Sequence, residues 1–248
     1  MPDIIIQAFQ QAIQLILSGN ADIYGTISRS IYVSGVGTLL ACTWSFPIAV
    51  APGLYSFRGR WVIKGLFNAL IGVPTVALGL LLALLFSHQG EFGFAHLLYT
   101  LNGIMIGEAI LVTPIIVSFT ASALSSTDTQ LRDLSRTLGA SGLKTNLTMM
   151  RETIWSMVLA VTASFNRGFG ELGIAMLVGG NFIGETNVLT TSIALQENFA
   201  NYSFAVAYAI ILMAIVIAIA LVINLIERLR QEELPFKTWR IFGKSGGQ

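Results

Sequence analysis

Charge is what this sequence has least of. Asp, Glu, Lys and Arg make up 11% of its 248 residues, against about 25% in soluble domains, while 54% are hydrophobic. A chain so poor in charge does not read as an ordinary globular protein, and its long apolar runs read as membrane spans. The formal net charge of +1 suggests no nucleic-acid surface. Cysteine occurs once, at Cys42 in an apolar run, so no intrachain disulfide can form and a buried, inert thiol is expected. Histidine occurs twice. His88 and His96 flank Glu91 and fall short of the three or four convergent ligands a metal needs, so no metal site is expected. No GxxxxGK[ST] sequence is present, which excludes ATP hydrolysis by that route in this chain. No Lys or Arg precedes Arg29, so the beginning of the sequence does not read as a cleavable signal.

What is present is apolar sequence with abundant glycine, 24 residues, as expected where membrane helices pack closely. Residues 4–17 are apolar at positions 5, 9, 12, 13 and 16, with Gln7, Gln10, Gln11 and Gln14 on the other side. The period is helical but too short to cross a hydrocarbon core about 30 Å thick, so residues 1–20 are read as an amphipathic helix lying along the membrane. Five spans follow, at about residues 23–50, 61–86, 99–123, 155–178 and 204–226. The second contains Pro74, expected as a kink inside one helix. The third carries Gly103-x-x-x-Gly107, Glu108 and Pro114. A polar, glycine-containing stretch occupies residues 179–202. Residues 229–248 read as a short charged tail. The fold expected is all-α and membrane-embedded, with residues 21–228 as its transmembrane part.

Twelve of the fourteen basic residues fall on one side of this arrangement: Arg58, Arg60, Lys64, Arg132, Arg136, Lys144, Arg151, Arg228, Arg230, Lys237, Arg240 and Lys244. By the positive-inside rule that side is cytoplasmic. The N-terminus is then outside and the C-terminus inside, which requires an odd number of spans.

The longest polar interruption, residues 128–152, lies on that cytoplasmic side within the loop 124–153. Thr127 and Gln130 have the spacing of a capping box. Leu131, Leu134 and Leu138 then share a helical face, with Arg132, Asp133 and Arg136 off it. Gly139 ends the helix, and a second helix starts near Ser141. A short amphipathic helix between two spans suits docking to a soluble partner.

The pattern Asp133-Leu134-Ser135-x-x-x-Gly139-Ala140-Ser141 resembles the cytoplasmic "EAA" loop of permease subunits of bacterial ABC importers. Asp-Leu-Ser stands where Glu-Ala-Ala is usual, and Arg151-Glu152 where Leu-Pro is common, while Gly-Ala-Ser is intact. Residues 166–181, NRGFGELGIAMLVGGN, look like a stretch of molybdate and tungstate permeases, and residues 188–197, VLTTSIALQE, are closer to the tungstate branch. The resemblance spans roughly residues 20–228. It implies a type I importer permease in the cytoplasmic membrane of a bacterium or archaeon, working as a homodimer. Leu131, Asp133, Leu134, Arg136, Leu138, Gly139, Ala140 and Ser141 would form the coupling helix and its turn. This chain would hold no cofactor, since ATP and Mg are bound by the partner ATPase. A periplasmic or extracellular binding protein would deliver an oxyanion, tungstate or molybdate. A stand-alone secondary transporter or channel is the alternative, and an integral-membrane enzyme a third reading that lacks a polar catalytic cluster.

Beyond those twelve, the basic residues are Arg29 and Arg167, and the acids best placed within the spans are Glu108 and Glu171. An ionised group at the bilayer centre costs roughly 2.5–3.5 kcal/mol on insertion scales, so none should face lipid. Arg167 and Glu171 are four apart on one helix face, where an ion pair is available. Either they form a buried pair that fixes packing, or Arg167 lies on the route of an anion. Arg29, near the start of its span, is expected to snorkel to the outer interface. Glu108 stands where the resemblance more often has an amide, and a cationic partner, Arg29 or Arg167, is expected for it. Gly168, Gly170 and Gly173 weaken their helix by about 1 kcal/mol each relative to Ala, which marks a break, close packing or a hinge that moves during gating.

Overall fold

The computed structural model describes residues 2–126, 137 and 141–242, and no strand occurs among them. The helices are, in order, α1 Pro2–Leu17, α2 Ala21–Leu54, α3 Arg60–Leu70, α4 Thr75–Phe86, α5 Leu101–Ser126, α6 Gly142–Glu152, α7 Ile154–Phe169, α8 Gly173–Leu177, α9 Leu189–Asn198 and α10 Tyr202–Phe242.

The core is built around α5, which packs against α2, α3, α4, α7 and α8. Between membrane helices the surrounding lipid is as apolar as leucine, so close fit does the work of association. The sequence supplies that fit with small side chains. On α2, Ser30, Ser34, Gly37, Ala41, Ser45, Ala49 and Gly53 are buried at intervals of three or four residues. A Cβ added at Gly53 would lie 2.8 Å from Leu124 Cβ, and one at Gly37 3.0 Å from the Met105 carbonyl oxygen. Trp44 Nε1 ties the two helices by donating to Thr113 Oγ1 at 2.8 Å. The glycine pair on α5 admits α8: a Cβ at Gly107 would meet Ile174 Cγ2 at 2.5 Å, and one at Gly103 Val178 Cγ1 at 3.0 Å. By contrast α10 leaves Met213, Ile217, Leu221, Val222 and Leu225 exposed, a surface suited to lipid.

Three described helices are long and apolar enough to cross a membrane, Ala21–Leu54, Leu101–Ser126 and Tyr202–Leu225. The expected second span is not one kinked helix. It divides into α3 and α4, bent by 94°, and Pro74 stands as the N-cap of α4 rather than inside a helix. Proline lacks the N–H that would continue the ladder, and Gly72 beside it weakens the turn further. The expected fourth span also divides. Its helix stops at Phe169 and resumes as the five-residue α8. Nor does the last helix end near residue 226, because α10 runs on to Phe242 through what reads as a charged tail. The first helix is bounded by Ser18, Gly19 and Asn20 as expected, Asn20 Oδ1 capping α2 by accepting from Asp22 N and Ile23 N. Its apolar stripe splits, however. Ala8 and Ala12 are buried, while Phe9 and Ile13 remain exposed, and α1 packs along α10.

Two ends of the bundle are tied by polar contacts. At one end Arg60 Nε donates to the Pro52 carbonyl at 2.6 Å, Lys64 Nζ to Ser125 Oγ at 2.6 Å and Asn146 Nδ2 to Tyr55 Oη at 2.7 Å. Leu54, Leu124 and Met149 pack together beneath them. The segments carrying Arg60, Lys64, Lys144 and Arg151 therefore share one end. At the other, Tyr99 N donates to the Val178 carbonyl at 2.7 Å, and the Leu189 N–H reaches Ser30 Oγ at 2.8 Å.

Candidate functional site

The polar centre of the bundle is the break between α7 and α8. Gly170 and Glu171 end α7 by donating their N–H groups to the Asn166 and Gly168 carbonyls at 3.2 and 2.8 Å. Glu171 then serves the next helix: its Oε1 accepts from Gly173 N at 2.7 Å and Ile174 N at 3.2 Å. Those are first-turn donors with no partner inside α8. Its Oε2 accepts from Arg167 Nη1 at 2.8 Å, and Thr190 Oγ1 donates to its backbone carbonyl at 2.8 Å. The carboxylate is thus fully engaged and its side chain only 2% exposed, whereas that of Arg167 is 39% exposed.

The glycines around the break do different things. A Cβ on Gly173 would approach Val76 N to 3.0 Å, and one on Gly79 would approach the Gly173 carbonyl oxygen to 2.9 Å. The start of α4 is therefore in backbone contact with the break. A Cβ on Gly168 would meet Glu108 Oε2 at 3.2 Å, while Gly170 has only the Asn166 carbonyl within reach, at 3.6 Å.

Glu108 fills the slot that Gly168 and Gly37 leave between α7 and α2. It is 3% exposed, and its Oε2 has no hydrogen-bond partner among the described residues. Among the described residues the expected cationic partner does not meet it, because both arginines are committed elsewhere. Arg167 pairs with Glu171, and Arg29 does not snorkel freely. Its Nε donates to the Asn187 carbonyl at 3.0 Å, Nη1 to the Gly184 carbonyl at 3.2 Å, and Nη2 to Asn187 Oδ1 at 2.7 Å and Thr26 Oγ1 at 3.2 Å. Arg29 so staples α2 to the loop before α9, 155 to 158 residues away in sequence. A cavity of about 220 Å³ opens beside it, lined by Asp22, Arg29, Asn187, Ser192, Gln196 and Asn201 among others. Gly179 and Gly180 spend their N–H groups on the Ala175 and Met176 carbonyls.

Asn187, Thr190 and Ser30 were not singled out from sequence. Their roles depend on chain segments far apart, and no local spacing announces them. The docking residues Leu131, Asp133, Leu134, Arg136, Leu138, Gly139 and Ala140 lie outside the described residues. Ser141 is described: its Oγ accepts from Lys144 N and caps α6. Among the described residues no group of three or more His, Cys, Asp or Glu could hold a metal ion.

The sequence is 33% identical over 219 residues to the tungstate uptake system permease protein TupB of Peptoclostridium acidaminophilum, covering 88% of this chain and 96% of the relative. It is 25% identical over 201 residues to the molybdate/tungstate transport system permease protein WtpB of Pyrococcus furiosus, covering 81% and 76%. The fold resembles the MetNI methionine ABC transporter in an inward-facing conformation, with a TM-score of 0.65 at 18% identity over 81% of this chain and 92% of that one. Residues 45–231 match the family model described as binding-protein-dependent transport system inner membrane component, and this chain belongs to that family.

Proposed function

We propose that this protein is the transmembrane subunit of an ATP-driven importer that carries an oxyanion, tungstate or molybdate, into the cytoplasm. The observation that carries the reading is family membership over residues 45–231, joined to a near full-length likeness to a tungstate permease. Two copies would enclose one translocation route at a twofold axis. Each would cross the membrane five times, twice through the broken pairs α3–α4 and α7–α8. The end that gathers Arg60, Lys64 and α6 would face the cytoplasm, in keeping with the bias of basic residues. There the segment 128–138 and its turn at Gly139, Ala140 and Ser141 would dock on a separate ATPase. A substrate-binding protein would deliver the anion to the opposite end.

Closure of the ATPases would displace the docking segments. The displacement would pass into α5 and α7, which flank that loop, and would alternate access to the route. Residues 1–20 would lie along the membrane surface beside α10. The test is reconstitution with an ATPase and a binding protein, followed by uptake measurements with tungstate, molybdate and sulfate in competition. ATP-dependent uptake of the first two is expected, and Gly139→Trp should weaken ATPase association or coupling. Uptake that proceeds without ATPase would instead mark a secondary transporter.

A further inference from the structure

We infer that Arg167 is the residue through which the transported oxyanion is contacted inside the membrane, with Glu171 as its positioning residue. This rests on the importer reading above. Of the four intramembrane charges, three are occupied or sealed. Glu108 is 3% exposed and Glu171 2%, and Arg29 donates from all three of its nitrogens to protein acceptors. Arg167 differs. Only its Nη1 makes a hydrogen bond among the described residues, which leaves the Nε and Nη2 edge open on a side chain 39% exposed.

That edge does not suit lipid, because an ionised guanidinium at membrane depth is costly there. The exposed helix face it shares is also unlike the lipid-facing surface. Ser156, Ala163 and Gly170 are exposed along it with Leu159 half-exposed among them, whereas the large apolar side chains that α7 leaves exposed, Ile154, Trp155 and Val158, lie nearer its start. The depth is right as well. Arg167 adjoins Gly168, whose added Cβ would meet Glu108, and Glu108 is seven residues into α5, about 10 Å along its axis. The planar fork of an arginine matches two oxygens of a tetrahedral oxyanion. Neutralisation by Glu171 keeps the hydrogen-bonding edge while removing the deep electrostatic well that would trap a dianion in transit.

The test uses vesicles holding the full transporter, with tungstate uptake read by elemental analysis. Wild-type protein must first show ATP-dependent uptake, and its failure would overturn the importer reading rather than the role of Arg167. Arg167→Gln should then lower uptake about tenfold or more, the scale of a lost charge-assisted hydrogen bond. Membrane insertion and ATPase copurification should be unchanged, and Arg167→Lys should recover part of the uptake. The deciding variant is Arg167→Gln with Glu171→Gln. The second amide still accepts from Gly173 and Ile174 and leaves no orphaned carboxylate. If the pair only fixes packing, the double variant transports at the wild-type rate and the inference fails. If Arg167 touches the anion, it stays as impaired as Arg167→Gln alone. Loss of assembled protein in both glutamine variants would also overturn the inference, since the lost uptake would then trace to folding rather than to the route.

Discussion

Gly65 and Gly107 are the same residue in opposite surroundings. Gly65 sits on the exposed face of α3 with nothing within 4 Å of an added Cβ, while a Cβ at Gly107 would stand 2.5 Å from Ile174 Cγ2. Gly65→Ala is expected to stabilise its helix, by about 1 kcal/mol at most. Gly107→Ala should instead cost about 1–3 kcal/mol through overpacking. Thermal unfolding of the detergent-solubilised protein checks both signs. A second residue-scale prediction concerns Ser30, whose hydroxyl takes the Leu189 N–H at 2.8 Å while itself donating to the Thr26 carbonyl. Ser30→Ala strands a buried donor and should lower stability by about 1–3 kcal/mol in the same assay. From sequence, Ser30 is one small residue in an apolar helix. Its partner lies 159 positions on, and no periodicity reveals a bond of that kind.

At the scale of elements, the informative features are the two breaks. Both were visible as composition, Pro74 in one case and the three glycines after Asn166 in the other. Composition alone does not distinguish a kinked helix from two helices. The outcome depends on what satisfies the freed backbone groups. At the second break Glu171 does so, accepting from Gly173 N and Ile174 N, while Gly79 lets α4 close on the gap. The start of α6 is a simpler case that local sequence does settle. Ser141 caps it through a side-chain bond to Lys144 N, as a serine at the expected helix start suggests. Ser141→Ala should destabilise that helix by about 0.5–2 kcal/mol. The expected result is earlier proteolytic cleavage near residues 141–152, with unfolding of the membrane bundle unchanged.

For the whole molecule, the prediction is sidedness. Cysteines placed one at a time in a Cys42→Ser background should separate into two sets. Arg58→Cys and Lys144→Cys should react with an impermeant thiol reagent only from the cytoplasmic side, and Ile183→Cys, 70% exposed, only from the outer side. Labelling of Lys144→Cys from outside would sink the docking arrangement. The sequence alone determined the class of this protein: helical, membrane-embedded, with a polar loop that resembles the ATPase-docking loop of importers. Those properties are sums over many residues and survive ignorance of any single contact. Only the tertiary structure decided which intramembrane charges remain available. Arg29, Glu108, Arg167 and Glu171 look alike as ionisable residues in apolar sequence. Their fates diverge because hydrogen bonds and steric slots are set by segments brought together across the bundle, and one open guanidinium edge is what those contacts leave over.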